Sequence, residues 1–119
     1  MDQNKLTQNA IQWLTDWNAK DLEKIMKHYA EDVVLYSPTV IKRWNIPEGK
    51  LSGKQAVQKH FAKGLEDVPK MHVVFESILF GIDSIVLFYK RETGVMAADF
   101  ILFDHSGKVK EVRACYTAP

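Results

Sequence analysis

Apolar residues Leu6, Ala10, Trp13, Leu14 and Trp17 recur at i, i+4, i+7, i+8 and i+11. That spacing puts them on one face of an α-helix. Gln8, Asn9, Gln12, Asp16 and Asn18 fill the opposite face. The pattern pauses at residues 18–21, where Asp21 is placed to cap a second helix. The buried side of that helix reads Leu22, Ile25, Met26, Tyr29 and Ala30, and the short link predicts an angled pair. Glu31-Asp32 breaks the period. Residues 33–37 have strand propensity, and Pro38 ends them. Residues 38–50, with Pro38, Trp44, Pro47 and Gly49, read as a loop. Ser52-Gly53-Lys54-Gln55 fits a capping box. It opens a third helix with Ala56, Val57, Phe61 and Leu65 on its apolar side, stopping before Pro69.

From Val73 the period becomes that of strands. Residues 73–80, 85–91, 95–103 and 109–116 are separated by turn signals at Gly81 to Asp83, Thr93-Gly94 and 104–107. The element order is therefore α-α-β-α-β-β-β-β. Helices first and a hairpin-linked meander last predict an α+β fold. Strongly twisted strands curl. The expected result is a cone-like curved antiparallel sheet wrapped on three helices of the N-terminal half, closed around a cavity.

The 119 residues are expected to form a single domain, 1–119. Sixteen Lys+Arg against fifteen Asp+Glu leave a net charge of +1. That balance gives no whole-molecule field for nucleic acid or anionic membrane. No run approaches the roughly 18 apolar residues of a membrane helix, and Met1-Asp2-Gln3-Asn4-Lys5 is too polar for a secretory signal. A cytoplasmic location is the expectation. Cys115 is the one cysteine, so no internal disulfide forms, and its strand position predicts a buried, inert thiol. His72 and Glu76 lie roughly 13 Å apart along one strand, too far to share an ion. With no metal set, phosphate loop or dinucleotide fingerprint, no cofactor is expected.

One charge interrupts the apolar run 95–103, and that is Asp99. By strand alternation it shares a face with Ala97, Ile101 and Phe103. A carboxylate there is costly unless paired or protonated. It reads either as a hydrogen-bonding acid in a cavity or as a structural ion pair. Trp13 and Trp17, one helical turn apart, are expected to line the core or the cavity. His60 sits beside the apolar face of the third helix, where it is a satisfied core residue or a general base. His28 and His105 read as solvent-exposed.

The stretches 13–22 and 29–33, the segment 51–56 leading into the third helix, and the ending Phe103-Asp104-His105-Ser106-Gly107-Lys108-Val109 with Arg113 together resemble nuclear transport factor 2-like proteins. That superfamily, of cystatin-like roll, includes ketosteroid isomerases and SnoaL-like polyketide cyclases. The resemblance covers nearly the whole chain. It implies that Asp99 occupies the oxyanion-hole position of the isomerases, a role for which a neutral carboxylic acid is known. It implies that their base position, at the end of the first strand before a proline, is filled by Ser37. Their first-helix tyrosine is matched by Trp13, which has no phenol. It places Leu35 and Ser37, and likewise Val112, Ala114 and Tyr116, on inward strand faces. It puts Trp44 where the family has a lid, over the mouth or a dimer seam. Tyr116 offers a hydroxyl to a ligand or closes the core as a rim aromatic.

The expected function is proton transfer on a small hydrophobic carbonyl compound by a SnoaL-like or isomerase-like protein. Asp99, Tyr116 and His60 are the candidate catalytic residues. The candidate ligand contacts are Trp13, Trp17, Leu35, Ser37, Trp44, Phe61, Ala97, Ile101, Val112 and Ala114. The alternatives are a non-catalytic binder of a small hydrophobic molecule and, as in the nuclear transport branch, a protein-interaction module. The strands carry apolar residues on both faces, so a homodimer through the outer sheet face is also expected.

Overall fold

Helix α1, Gln3–Asn18, begins where the Asp2 carboxylate accepts hydrogen bonds from the Asn4 and Lys5 backbone N–H groups. The computed structural model describes residues 2–118. Leu6, Ala10, Trp13 and Leu14 form the buried stripe of α1. Asp21 caps the short helix α2, Leu22–Met26, by accepting from the Lys24 N–H. This second helix ends earlier than its periodicity predicts. Tyr29 and Ala30 are buried, but as the first residues of strand β1, Tyr29–Tyr36. Burial at Tyr29 satisfies a helical and a strand pattern equally, and pairing of Tyr29 with Val109 decides between them. Glu31 and Asp32 do not end the element. They bulge outward, exposed, within it, and the pairing register shifts across them.

Residues 38–50 are more ordered than a loop. The Ser37 hydroxyl accepts from the Thr39 N–H and caps helix α3, Pro38–Trp44, with Pro38 in its first turn. Strand β2, Lys50–Ser52, follows and pairs with β1. Ser52 is therefore held by the sheet and does not cap the next helix. Gly53 takes that position with φ of +95°, a conformation open to glycine, and its N–H donates to Val33 O at 2.7 Å. Helix α4, Lys54–Asp67, buries Val57, His60 and Gly64. Strands β3 (Val73–Phe80), β4 (Ser84–Arg91), β5 (Met96–Phe103) and β6 (Val109–Tyr116) form the meander.

The fold is α+β, with a curved, unclosed sheet in the order β2-β1-β6-β5-β4-β3. The curved sheet is the expected one, and two features refine the antiparallel cone. Its edges do not meet, and β1 runs parallel to β6, because the helix-bearing connection returns the chain in the same direction. The concave face carries Leu35, Leu87, Ile101 and Val112 against α1 and α2. The convex face carries Cys115, exposed beside Arg113 and not buried as its sequence context predicts. His28 is half-buried, against expectation, because Asp16 inside α1 draws its Nε2 to 3.0 Å.

Asn18 joins α1 to the sheet edge. Its amide donates to Val73 O and accepts from Val73 N–H, both at 2.8 Å. Replacing Asn18 with Ala leaves two backbone groups without partners. At ~1 kcal/mol for each bond, the variant is expected to lose about 2 kcal/mol of stability. Urea unfolding checks this, and a midpoint equal to that of the wild type would show that the clamp contributes nothing.

Candidate functional site

A cavity of about 120 Å³ lies between the concave sheet face and helices α1, α3 and α4. Its polar centre is Asp99. The β5 register sets Asp99 between Leu87 on one side and Ala114 on the other. Tyr89 and Tyr116 both stand opposite Ala97, so they are the two diagonal neighbours of Asp99 on the same face. The Tyr89 hydroxyl donates to Asp99 Oδ2 at 3.1 Å. The other oxygen, Oδ1, is buried and has no hydrogen-bond partner among the described residues. Asp99 is 3% exposed and forms no ion pair among the described residues. Burial pushes its pKa up to about 7, against a smaller opposing pull from the Tyr89 hydrogen bond. Near neutral pH this carboxyl both holds and releases a proton.

Burial, reinforced by the charge of Asp99, holds the Tyr89 phenol well above its ordinary range. Burial and Asp99 raise Tyr116 as well, while the Ser37 and Tyr89 hydroxyls draw it back. Tyr29, also on the cavity wall, is raised chiefly by burial. Its oxygen accepts the Trp13 indole N–H at 2.8 Å, which leaves its own proton available to the cavity. Trp13 thus supplies no phenol but positions one. The Trp17 indole N–H is buried without a partner among the described residues. Trp17 meets Phe61 edge-to-face and Phe61 meets Tyr29 at a tilt, with centroids 4.9 and 5.5 Å apart.

His60 lines the same cavity, 3% exposed, but both ring nitrogens are engaged. The Trp44 indole donates to Nδ1 at 2.9 Å. An indole N–H only donates, so Nδ1 must accept and the proton belongs on Nε2. Nε2–H then donates to Thr39 Oγ1 at 3.0 Å, and the Thr39 and Ser37 hydroxyls share a hydrogen bond at 2.7 Å. The direction of the His60–Thr39 bond thus follows from Trp44. Burial and then the Arg43 charge lower the His60 pKa to about 4. His60 is neutral and fully engaged, which makes it a satisfied core residue and not a free base.

The structure brings Asp99, Tyr116 and His60 to the cavity wall, with Trp13, Trp17, Leu35, Ser37, Phe61, Val112 and Ala114. It places three expected contacts elsewhere. Trp44 bonds His60 through its indole N–H, with Lys59 over its ring, and is not among the residues lining the cavity. Ala97 is 1% exposed, opposite the two tyrosines, which leave it no access to a ligand. Ile101 lines a separate void of about 30 Å³. Tyr29, Thr39, Arg43, Tyr89 and Arg91 also line the main cavity and were not among the expected contacts. Strand alternation alone puts Tyr89 and Arg91 on the face of Leu87. Reading 38–50 as a loop concealed Thr39 and Arg43.

Comparison with known proteins agrees with this architecture. Curated proteins give no match. Among solved structures, a SnoaL-like protein of unknown function from Burkholderia thailandensis is 29% identical, with a TM-score of 0.94 over 98% of each chain. A protein of unknown function with a cystatin-like fold, from Methylobium petroleophilum, is 14% identical at a TM-score of 0.79, over 100% of this chain and 80% of that one. TerC, co-crystallised with polyporic acid, is 14% identical at a TM-score of 0.76, over 93% of this chain and 90% of that one. These last two are likenesses of fold. The model of the SnoaL-like domain matches residues 10–117, and the chain therefore belongs to the SnoaL-like family.

Proposed function

We propose that the cavity binds a small, largely apolar carbonyl compound and that Asp99 moves a proton to or from it. The observation that carries this reading is the unpartnered Oδ1 of Asp99, buried in the cavity wall on a carboxyl with a pKa near 7. A general acid–base group works best when its pKa is close to the operating pH. Asp99 is the only carboxylate lining the cavity among the described residues, and His60 is held neutral. One group therefore does both halves of the transfer. As carboxylate, Asp99 takes the proton on the carbon beside the carbonyl, and the O–H groups of Tyr29 and Tyr116 stabilise the resulting enolate oxygen by hydrogen bonding. As acid, it returns the proton to the same or a neighbouring carbon.

The non-catalytic alternative has its own support, since the family's base position holds Ser37, whose hydroxyl is engaged with Thr39. Deuterium exchange in D2O separates the two. With 2-indanone and 2-tetralone as probes, wild type is expected to exchange the protons beside the carbonyl faster than buffer. Asp99→Asn should reduce that rate by roughly 10²–10⁴-fold. Binding without exchange means a binding protein, and no binding removes both readings.

The Asp99 shift also sets a stability profile. Its ordinary pKa is 3.8 and its folded value is about 7, so between these the folded state holds a proton that the unfolded state has lost. Stability is fully present below about 4 and falls as pH rises to about 7. Three pH units at ~1.4 kcal/mol each make the loss about 4 kcal/mol. Asp99→Asn removes this dependence. The variant is expected to be the more stable protein at pH 8, with the difference shrinking toward pH 4. Urea unfolding of both proteins across that range is the check, and parallel profiles contradict a raised pKa.

Assembly belongs to the same proposal. Leu79, Val86 and Phe100 lie in one cross-strand row on the convex face, beside Phe88 and Ala98 in the next. Leu79 is 55% exposed. A second copy of the chain is the expected cover. Sedimentation should give twice the chain mass, and a monomer at micromolar concentration rejects the pairing.

A further inference from the structure

Arg43 contributes a permanent positive charge to a cavity that is otherwise mostly apolar. Its side chain is 19% exposed. Charges so far out of water are ordinarily paired with a carboxylate at hydrogen-bond distance. Arg43 is not. The nearest carboxylate oxygen, on Asp67, is 3.8 Å from Nε, and the other oxygen of Asp67 is held by Lys63 at 3.0 Å. Arg43 Nη1 lies 3.1 Å from His60 Nδ1, 3.4 Å from Nε2 and 3.3 Å from the His60 carbonyl oxygen. Among the described residues, Nη2 has no hydrogen-bond partner.

Gly64 points the same way. It is buried within α4, without a positive φ that would require glycine, and a glycine inside a helix costs about 0.5–1 kcal/mol relative to alanine. A Cβ there would sit 3.5 Å from Arg43 Nη1 and 3.6 Å from Nη2. The missing methyl leaves the guanidinium uncovered beside the cavity. Arg91, the other arginine on the wall, provides the contrast. Its Nε and Nη2 are satisfied by both oxygens of Glu92, at 3.0 and 3.2 Å. Of the two cations, Arg43 is the one with no carboxylate at hydrogen-bond distance among the described residues. A second donor lacks an acceptor on the same wall, the buried indole N–H of Trp17.

The geometry points to a ligand that is a small carboxylic acid, bound as the anion, with its carboxylate on Arg43 and its apolar body against Trp17 and Phe61. This rests on the reading of the cavity as a carbonyl-compound site and narrows the substrate class to acids whose reacting carbon lies at the Asp99 end. A planar carboxylate matches the guanidinium fork in a way that a point dipole does not.

Matched probes test it: benzoate and trans-cinnamate against benzamide and cinnamamide, by calorimetric titration at pH 7. The carboxylates are expected to bind at least about tenfold more tightly than the amides. Arg43→Gln should remove that preference, Arg43→Lys should retain part of it, and Arg91→Gln should leave it intact. Arg43→Lys keeps the charge beside His60, so it reads the preference even if the Gln variant does not fold. Equal affinity for acids and amides overturns the acid assignment while leaving the apolar carbonyl site standing. Loss of the preference in Arg91→Gln and not in the Arg43 variants overturns the placement. Absence of binding by every probe rejects the proposal together with the cavity reading beneath it.

Discussion

A carboxyl group taken out of water needs a proton or a cation, and no cation among the described residues pairs with Asp99. The rest of the site is arranged around that fact. Tyr89 donates to one oxygen and the other is left open. With pairing to a lysine or arginine, the same residue would be a fixed charge at neutral pH. Desolvation holds it near its titration point instead. The two diagonal tyrosines follow from a single register, in which Ala97 faces both and Asp99 is two residues along. A slip of one residue between β4 and β5 would turn Asp99 to the convex face.

A second constraint comes from a group with no choice of role. Because the Trp44 indole can only donate, it fixes the tautomer of His60 and with it the direction of the bond to Thr39, whose hydroxyl is in turn bonded to Ser37. Arg43 reinforces the arrangement by opposing a second proton on the ring. Three elements, α3, α4 and the end of β1, are thereby joined by side chains whose donors and acceptors are consistently assigned. A buried network of this kind adds rigidity when every member is satisfied.

Much of the architecture was legible in the sequence. The α1 stripe, the meander and the isolated charge at Asp99 each follow from a local period of apolar residues. What was not legible depended on partners distant in the chain. Tyr29 joins a strand because β6 pairs with it, and the bulge at Glu31-Asp32 looks like an element boundary until that pairing is seen. Helix α3 is too short for periodicity to reveal, so Thr39 and Arg43 were hidden in an apparent loop. Trp44 was expected over the mouth or a dimer seam because the resemblance puts a lid there, but its N–H found an acceptor inside the fold. Ala97 shares the face of Asp99, and only the cross-strand register reveals that two phenol rings flank it.

The Asn18 clamp has a meaning beyond holding a helix to a sheet. Strand β3 is the outermost of its side, so its free backbone groups would template the addition of a foreign strand. Asn18 presents an amide in the geometry of a neighbouring peptide and occupies the edge at Val73. Further along, the irregular pairing between Phe75 and Ser77 interrupts the strand's regular run. Decoy and distortion together interrupt the unpaired edge of β3, and so guard that side of the sheet against strand-by-strand polymerisation.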